Sequence, residues 1–331
     1  MILRRRDFIT LLGGAAAAWP LVLRAQQRER MRRIAMLISG TPSNRGSEAN
    51  LAAFREGLAK LGWIDGSNLR VDLRFGGDDP ERIRDSAAEL VSLGPDVMLT
   101  NVSTARAVQE QTQTIPIVIA SGGDPVASGL IRNIARPEGN VTGFISAEPS
   151  IASKWLELLK EAAPLVTRVA IIFDPELAPT APSYISLIES TALNLGVAAI
   201  KTPVRTAVDI VRAIDAFAAQ PNGGLLVLPP PLAGAFRDSI FQLARQHRLP
   251  AIYPTQADAA AGGMMAYATD LRDQYRRAAS YVDRLLRGAK VRELPVQFPT
   301  KFELVINLKT AKAIGLDLPP NLLAIADKVI E

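Results

Sequence analysis

The chain has 331 residues, 48% hydrophobic and 21% charged, a balance that excludes a disordered chain and gives ample core for more than one domain. Its formal net charge is +5, but Arg4, Arg5, Arg6 and Arg24 against Asp7 supply three of those charges, so the remainder is too nearly neutral to support a nucleic-acid partner. There is no cysteine, which excludes disulfides, thiolate metal sites, a cysteine nucleophile and lipoprotein anchoring through Cys.

The opening RRRDFITLLGGAAAAWPLVLRAQQ joins an arginine cluster to an apolar stretch broken by Gly13-Gly14 and Pro20, with Leu23-Arg24-Ala25 as a cleavage site. Residues 1–25 therefore read as a signal peptide. Arg5-Arg6-Asp7-Phe8-Ile9 resembles the twin-arginine signal that exports folded proteins, so the mature chain is expected in the periplasm. An uncleaved anchor would need about 18 continuous apolar residues instead.

From Arg32 short apolar runs alternate with helix-spaced segments, the pattern of an α/β protein with parallel strands. RRIAMLIS (32–39) is the first strand; the following helix puts Leu51, Phe54, Leu58 and Leu61 on one face and stops at Gly62. NLRVDLRF (68–75) is a strand, and Asp79-Pro80 opens a helix whose Ile83, Ala87 and Leu90 face inward. PDVMLT (95–100), IPIVIAS (115–121) and NVTGFI (140–145) complete five strands, with a helix carrying Val126, Leu130 and Ile134 expected between the last two.

The pattern then starts again. RVAIIFD (168–174) echoes RIAMLIS, GGLLVLP (223–229) echoes PDVMLTN, LPAIYPTQAD (249–258) echoes IPIVIASGGD, and GGMMAY (262–267) echoes GNVTGF. Each echo follows its partner at a spacing far too long for a solenoid, which implies two similarly wound lobes. A helix with Tyr275, Ala279, Val282 and Leu286 on one face follows, and residues 294–315 pass through Pro295 and Pro299 into another strand and helix.

The expected fold is α/β: two doubly wound Rossmann-like lobes joined by a three-strand hinge, with crossings near 143–146, 267–270 and 297–301. Residues 26–145 plus 268–297 form the N-terminal lobe, and 146–267 plus 298–331 the C-terminal lobe. Such a hinge permits closure around a ligand.

In doubly wound sheets ligands bind beyond the carboxyl ends of the strands. There SGGDP (121–125) forms a strand-to-helix mouth: Gly122 and Gly123 allow a sharp turn, and Asp124 serves either as a helix cap or as the partner of an ammonium. Ser121 is the stronger ligand candidate, since a hydroxyl donates and accepts. Thr100, Asn101, Ser103 and Thr104 precede a second helix and suit either a carboxylate or a plain cap. Ser39, Thr41 and Asn44 form a third mouth beside Thr142, and the second lobe offers Asp174, Pro229, Tyr253, Tyr267 and Asp270.

The stretches LAAFREGLAKLGWIDGSNLRVDLRF, IPIVIASGGDPVASGLIRNIARPEGNVTGF, KWLELLKEAAPLVTRVAIIFDP, LPAIYPTQADAAAGGMMAYATDLRDQYRRAASYVDRLLRGAK and LPVQFPTKFELVINLKTAKAIGLDLP span nearly all of the mature chain. They closely resemble ABC-transporter substrate-binding proteins related to the tryptophan and tyrosine binders. The resemblance implies a type I periplasmic-binding-protein fold, a small polar ligand such as an amino acid or related carboxylate, a membrane permease as partner, a monomeric state and no cofactor. It also implies a carboxylate held against the 99–104 mouth. Where relatives commonly carry Asp-Asn, this chain has LPPPL (228–232), and Pro229-Pro230 offers neither charge nor side-chain hydrogen bond.

The rival class is a two-lobed, racemase-like enzyme working through cleft carboxylates such as Asp124 and Asp174. Hydrolase, metalloprotease and nucleotide motifs are lacking, and the lone His247 lies at a helix end. A DNA-binding regulator would need a helix-turn-helix ahead of the first strand, where only the leader stands.

Overall fold

The computed structural model describes residues 31–42, 45–77, 79–146, 148–176, 178, 180–229 and 234–331. The leader at 1–25, Asn44 and Pro230 lie outside the described residues.

The first half runs β1 (Arg32–Ser39), α1 (Arg45–Lys60), β2 (Leu69–Gly77), α2 (Pro80–Ser92), β3 (Val97–Asn101), α3 (Val102–Gln111), β4 (Ile117–Ser121) and β5 (Val141–Gly143). Its five strands form one parallel sheet in the order β2-β1-β3-β4-β5. Helices cover both faces, so the strands are apolar throughout rather than alternating with polar residues. Ile34, Met36 and Ile38 pack with Phe54, Leu58 and Val118 on one face, while Ala35, Leu37, Ala87, Met98 and Val108 fill the other.

The second half runs α4 (Ile151–Ala162), β6 (Arg168–Phe173), α5 (Ala181–Leu195), β7 (Ala198–Pro203), α6 (Ala207–Ala218), β8 (Gly223–Val227), α7 (Gly234–Gln246), β9 (Ala251–Tyr253), α8 (Gln256–Ala261) and β10 (Met265–Thr269). After α9 (Leu271–Leu286) and a 3-10 turn come β11 (Phe302–Asn307), α10 (Leu308–Ala313), α11 (Pro320–Ala324) and β12 (Lys328–Ile330). These strands make a second sheet, β12-β11-β10-β9-β8-β6-β7, parallel except where β11 runs against β10.

The chain passes between the sheets three times. It leaves the first through 144–146, returns after Thr269 as α9, and leaves again through 297–301 to enter β11. On its return, α9 lays Tyr275, Ala279, Val282 and Leu286 into the core under α1. The first and third passages run side by side, with Gln297 N–H donating to Gly143 O and Ile145 N–H to Gln297 O. At the start of the first passage Gly143 has φ +137°, and a Cβ there would sit 2.1 Å from Ile119 O, so no larger residue fits. The second and third passages are tied by Lys301, whose ammonium lies 2.9 Å from Asp270 Oδ2, and by Arg272, 3.3 Å from Glu303 Oε2.

One expected element does not form. Residues 125–130 make turns rather than the helix predicted from Val126, Leu130 and Ile134. Ser128 N–H bonds to Asp124 O in one helix-like step, but the Arg106 guanidinium then takes Ser128 O, Gly129 turns left-handed at φ +69°, and the Asn133 side chain caps Ala135 and Arg136. Val126 stays 39% exposed, while Leu130 reaches the core from the turn without a helix.

Candidate functional site

The carboxyl ends of β1, β3 and β4 are irregular: pairing shifts between Ile38 and Ser39 and between Thr100 and Asn101, so that Asn101 stands opposite Ser121. Such a shift re-aims side chains at the end of a strand. Here it gathers Ser39, Asn101 and Ser121, three of the residues expected to meet ligand.

Asn101 is the hub. Its Oδ1 accepts from Ser39 N–H at 2.9 Å and from the Ser39 hydroxyl at 3.3 Å. Its Nδ2 donates to Ser121 Oγ at 2.8 Å and to the Tyr275 hydroxyl at 3.1 Å. Both amide hydrogens and both acceptor positions are thereby used, so Asn101 fixes its neighbours and keeps nothing for a solute. The capacity that Asn101 does not take up is the Ser121 proton, since Ser121 accepts from Asn101, and the lone pairs of Ser39, which donates to it. Tyr275 comes from α9 and lies against Ser121 as well; burial raises its hydroxyl pKa, so it stays protonated at neutral pH.

Gly122 closes this corner. It has φ +129°, and a Cβ would lie 2.7 Å from Val102 Cβ and 3.0 Å from Val102 N, which brings the end of β4 against the first turn of α3. Gly123, by contrast, has open space around it and no left-handed φ, so only the first of the two glycines is required. Asp124 is half-buried, and its Oδ1 accepts from Val126 N–H at 2.7 Å and Ala127 N–H at 3.2 Å; it caps the turn.

Ser103 is exposed on the first turn of α3, and Thr41 is exposed beyond β1. Three other expected contacts turn inward. Thr104 is fully buried and donates to Leu37 O at 2.8 Å, and Thr142 is fully buried and donates to Leu294 O. Thr100 is fully buried too, and its hydroxyl has no partner among the described residues. A threonine one place from the strand end points into the α2–α3 core rather than out of the sheet, because side chains alternate.

The second sheet is organised differently. Asp174, after β6, accepts from Glu176 N–H at 2.8 Å and shapes its own turn; Pro229, after β8, is half-buried. Tyr253 belongs to the core: it is 2% exposed, packs edge-on against Phe241 at 4.9 Å, and burial drives its hydroxyl pKa far up. Tyr267 is half-buried and stacks on Phe302 at 5.7 Å. Asp270 is 3% exposed, caps α9 through Asp273 N–H and pairs with Lys301. Burial opposes its charge, but Lys301 and the cap outweigh this and hold its carboxyl below the usual range. Both carboxylate oxygens of Asp270 are thus engaged within the protein, one by the helix cap and one by Lys301.

Among the described residues no cluster of three or more His, Asp or Glu side chains could hold a metal. His247 Nε2 lies 2.6 Å from Asp215 Oδ1 at the end of α7, remote from these strand ends in the chain order. A shallow groove of ≈ 350 Å³ lies toward the amino-terminal ends of β4 and β5, lined by Gln109, Gln113 and Asn140 among others, and takes in none of the candidate residues.

The contacts that sequence reasoning missed are Tyr275, Gln274 and Ser146. Tyr275 was legible only as an apolar position on a helix face, although a buried tyrosine hydroxyl needs a partner. Ser146 Oγ accepts from Gly122 N–H at 3.1 Å and donates to Gln274 Oε1 at 2.8 Å.

Known proteins share this fold. A solved protein from Vibrio cholerae is 25% identical, with TM-score 0.77 over 91% of this chain and all of its own. A protein from Streptococcus pneumonia solved in complex with L-Trp is 20% identical, with TM-score 0.77 over 90% of this chain and 99% of its own. The tyrosine-binding protein of Clostridioides difficile is 23% identical over 270 residues, 80% of this chain and 75% of its own length. The sequence profile of the ABC transporter substrate binding proteins matches residues 38–330, and with two such sheets and this polar strand-end cluster the chain belongs to that family.

Proposed function

We propose that the protein captures a small polar solute, an amino acid or related carboxylate, between its two sheets and delivers it to the membrane permease of an ABC importer. The carrying observation is the Ser39–Asn101–Ser121 cluster with Tyr275, held at neighbouring strand ends beside the first turn of α3. A fixed proton donor at Ser121 and the positive end of a helix dipole suit a carboxylate. The relatives named for tyrosine and solved with L-Trp support an aromatic amino acid as the first candidate.

In this reading residues 26–145 plus 268–297 and residues 146–267 plus 298–331 are two lobes, and the passages at 144–146, 269–270 and 297–301 are the hinge on which they close. The half-buried Tyr267–Phe302 stack and Pro229 supply an apolar cover rather than a charge. The leader at 1–25 directs export, and the mature protein works in the periplasm as a monomer that releases its solute unchanged. Among the described residues no helix is long and apolar enough to cross a membrane.

The test is a thermal-unfolding and native-mass screen of the mature protein against the amino acids and small aromatic acids. A solute at a hundredfold excess over its Kd stabilises the folded state by about 2.7 kcal/mol. L-tryptophan or L-tyrosine is expected to raise the unfolding temperature and to be recovered intact with X-ray scattering showing compaction. A screen without a hit, or chemical conversion of the hit, defeats the proposal, and conversion would favour an enzyme.

A further inference from the structure

We propose that Gln274 and Tyr275, adjacent on the first turn of α9, are positioning residues that couple the solute-contacting strand ends to the hinge. This rests on the solute-binding reading above and deepens it.

The two side chains close a ring. From Ser121 the main chain leads to Gly122, whose N–H donates to Ser146 Oγ at 3.1 Å on the first passage between sheets. Ser146 Oγ donates to Gln274 Oε1 at 2.8 Å, and Gln274 Nε2 donates to Ile145 O, so the amide of Gln274 grips two consecutive residues of the passage. The next residue, Tyr275, accepts from Asn101 Nδ2, whose other hydrogen returns to Ser121. Ser146 is held on the opposite side as well, by its N–H to Gly122 O at 2.8 Å and by the Thr269 hydroxyl, 3.1 Å from its carbonyl on the second passage.

Each side-chain nitrogen and oxygen of this ring has at least one partner, and Gln274 and Tyr275 are 1% and 3% exposed. A satisfied buried network holds few alternative geometries, so a displacement at one arc is transmitted to the other. A solute that engages Ser121 pulls on the end of β4 and on Asn101 together. Both routes lead into α9, one through Tyr275 and the other through Ser146 and Gln274. Rotation of the passage at 144–146 in turn changes how Ser121 is presented. Asn101 and Ser146 are more than forty residues apart in sequence, and the helix joining them arrives later still.

The test cuts one arc and reads the other, first without any solute. Gln274→Met should raise amide hydrogen exchange at Ser39, whose N–H is held by Asn101, by about tenfold, and Tyr275→Phe should do the same at Gly122. Ile171, in the middle of β6, should keep its protection in both variants. Exchange that changes only beside each substitution overturns the proposal, and so does an equal rise at Ile171, which marks general loosening. If Gln274→Met does not fold, Ser146→Ala makes the same cut with a smaller change. L-tryptophan titration supplies the functional arm: the double variant should lose no more affinity than the weaker single one, whereas additive losses overturn the coupling. If the unsubstituted protein binds no L-tryptophan, the solute assignment fails and the exchange measurements still decide the coupling.

Discussion

The two sets of strand ends are built on opposite terms. In the first sheet, register shifts gather Ser39, Asn101 and Ser121 into a saturated network braced by a helix from the far end of the chain. In the second, the polar groups are spent locally: Asp174 shapes its own turn, Thr255 and Asp258 cap α8, and Tyr253 is core. Under the proposed function this difference amounts to a division of labour in which one side fixes hydrogen-bond direction and the other supplies surface. Preorganised groups lose little freedom on binding, so a single rigid side can set specificity while the other adapts.

The sharpest way to break this comparison is at Gly122. Gly122→Ala forces a Cβ to within 2.7 Å of Val102 Cβ at φ +129° and is expected to cost about 2–4 kcal/mol in denaturant unfolding. Gly123→Ala, one residue on, should change stability by less than about 0.5 kcal/mol. Equal losses would mean that the turn as a whole, not the approach to α3, fixes this mouth.

Next in size is Asn101→Ala, which strands Ser39 N–H and three hydroxyls, those of Ser39, Ser121 and Tyr275. A loss of about 2 kcal/mol and roughly 30-fold weaker L-tryptophan binding by calorimetry are expected. The contrasting change is Tyr253→Phe in the second sheet, where binding should stay within about twofold because the hydroxyl lies in the core. A large affinity loss there would dissolve the division of labour.

The smallest effect concerns the Asp270–Lys301 pair between the second and third passages. The Asp270 carboxyl is held below its ordinary value, so its contribution to stability is fully present above the unfolded value of about 3.9 and is lost as pH falls through the lower native one. Unfolding curves of the parent and Asp270→Asn should therefore differ at neutral pH and converge in acid below about pH 4. A gap that persists in acid would assign the effect to packing rather than to the Lys301 pair.

The alternation of apolar runs and helix-spaced segments was enough to read both sheets, because strands covered on both faces leave unbroken Val, Ile and Leu runs. Ser39, Asn101 and Ser121 were legible because polar residues just after such runs sit at strand ends. Their joint network was not, since Tyr275 lies 174 residues beyond Asn101 and local spacing carries no sign of that meeting. Thr100 and Thr142 turn inward for a related reason: composition marks a hydroxyl near a strand end, but only the pleat decides which way it faces, while Thr104 sits on the inner face of α3. The absent helix at 125–130 shows a side chain from elsewhere overriding local pattern, with Arg106 claiming the carbonyl that the next turn would have used.

The late return of α9 has a consequence for synthesis. Until residues 271–286 emerge from the ribosome, Phe54, Leu58 and Val118 lack the cover that α9 gives them, and the first sheet waits half-dressed while β6 to β10 of the second sheet are translated. Such an exposed apolar face invites chaperone capture or clumping, so a fragment ending near residue 145 is expected to be insoluble although it contains all five strands of its sheet.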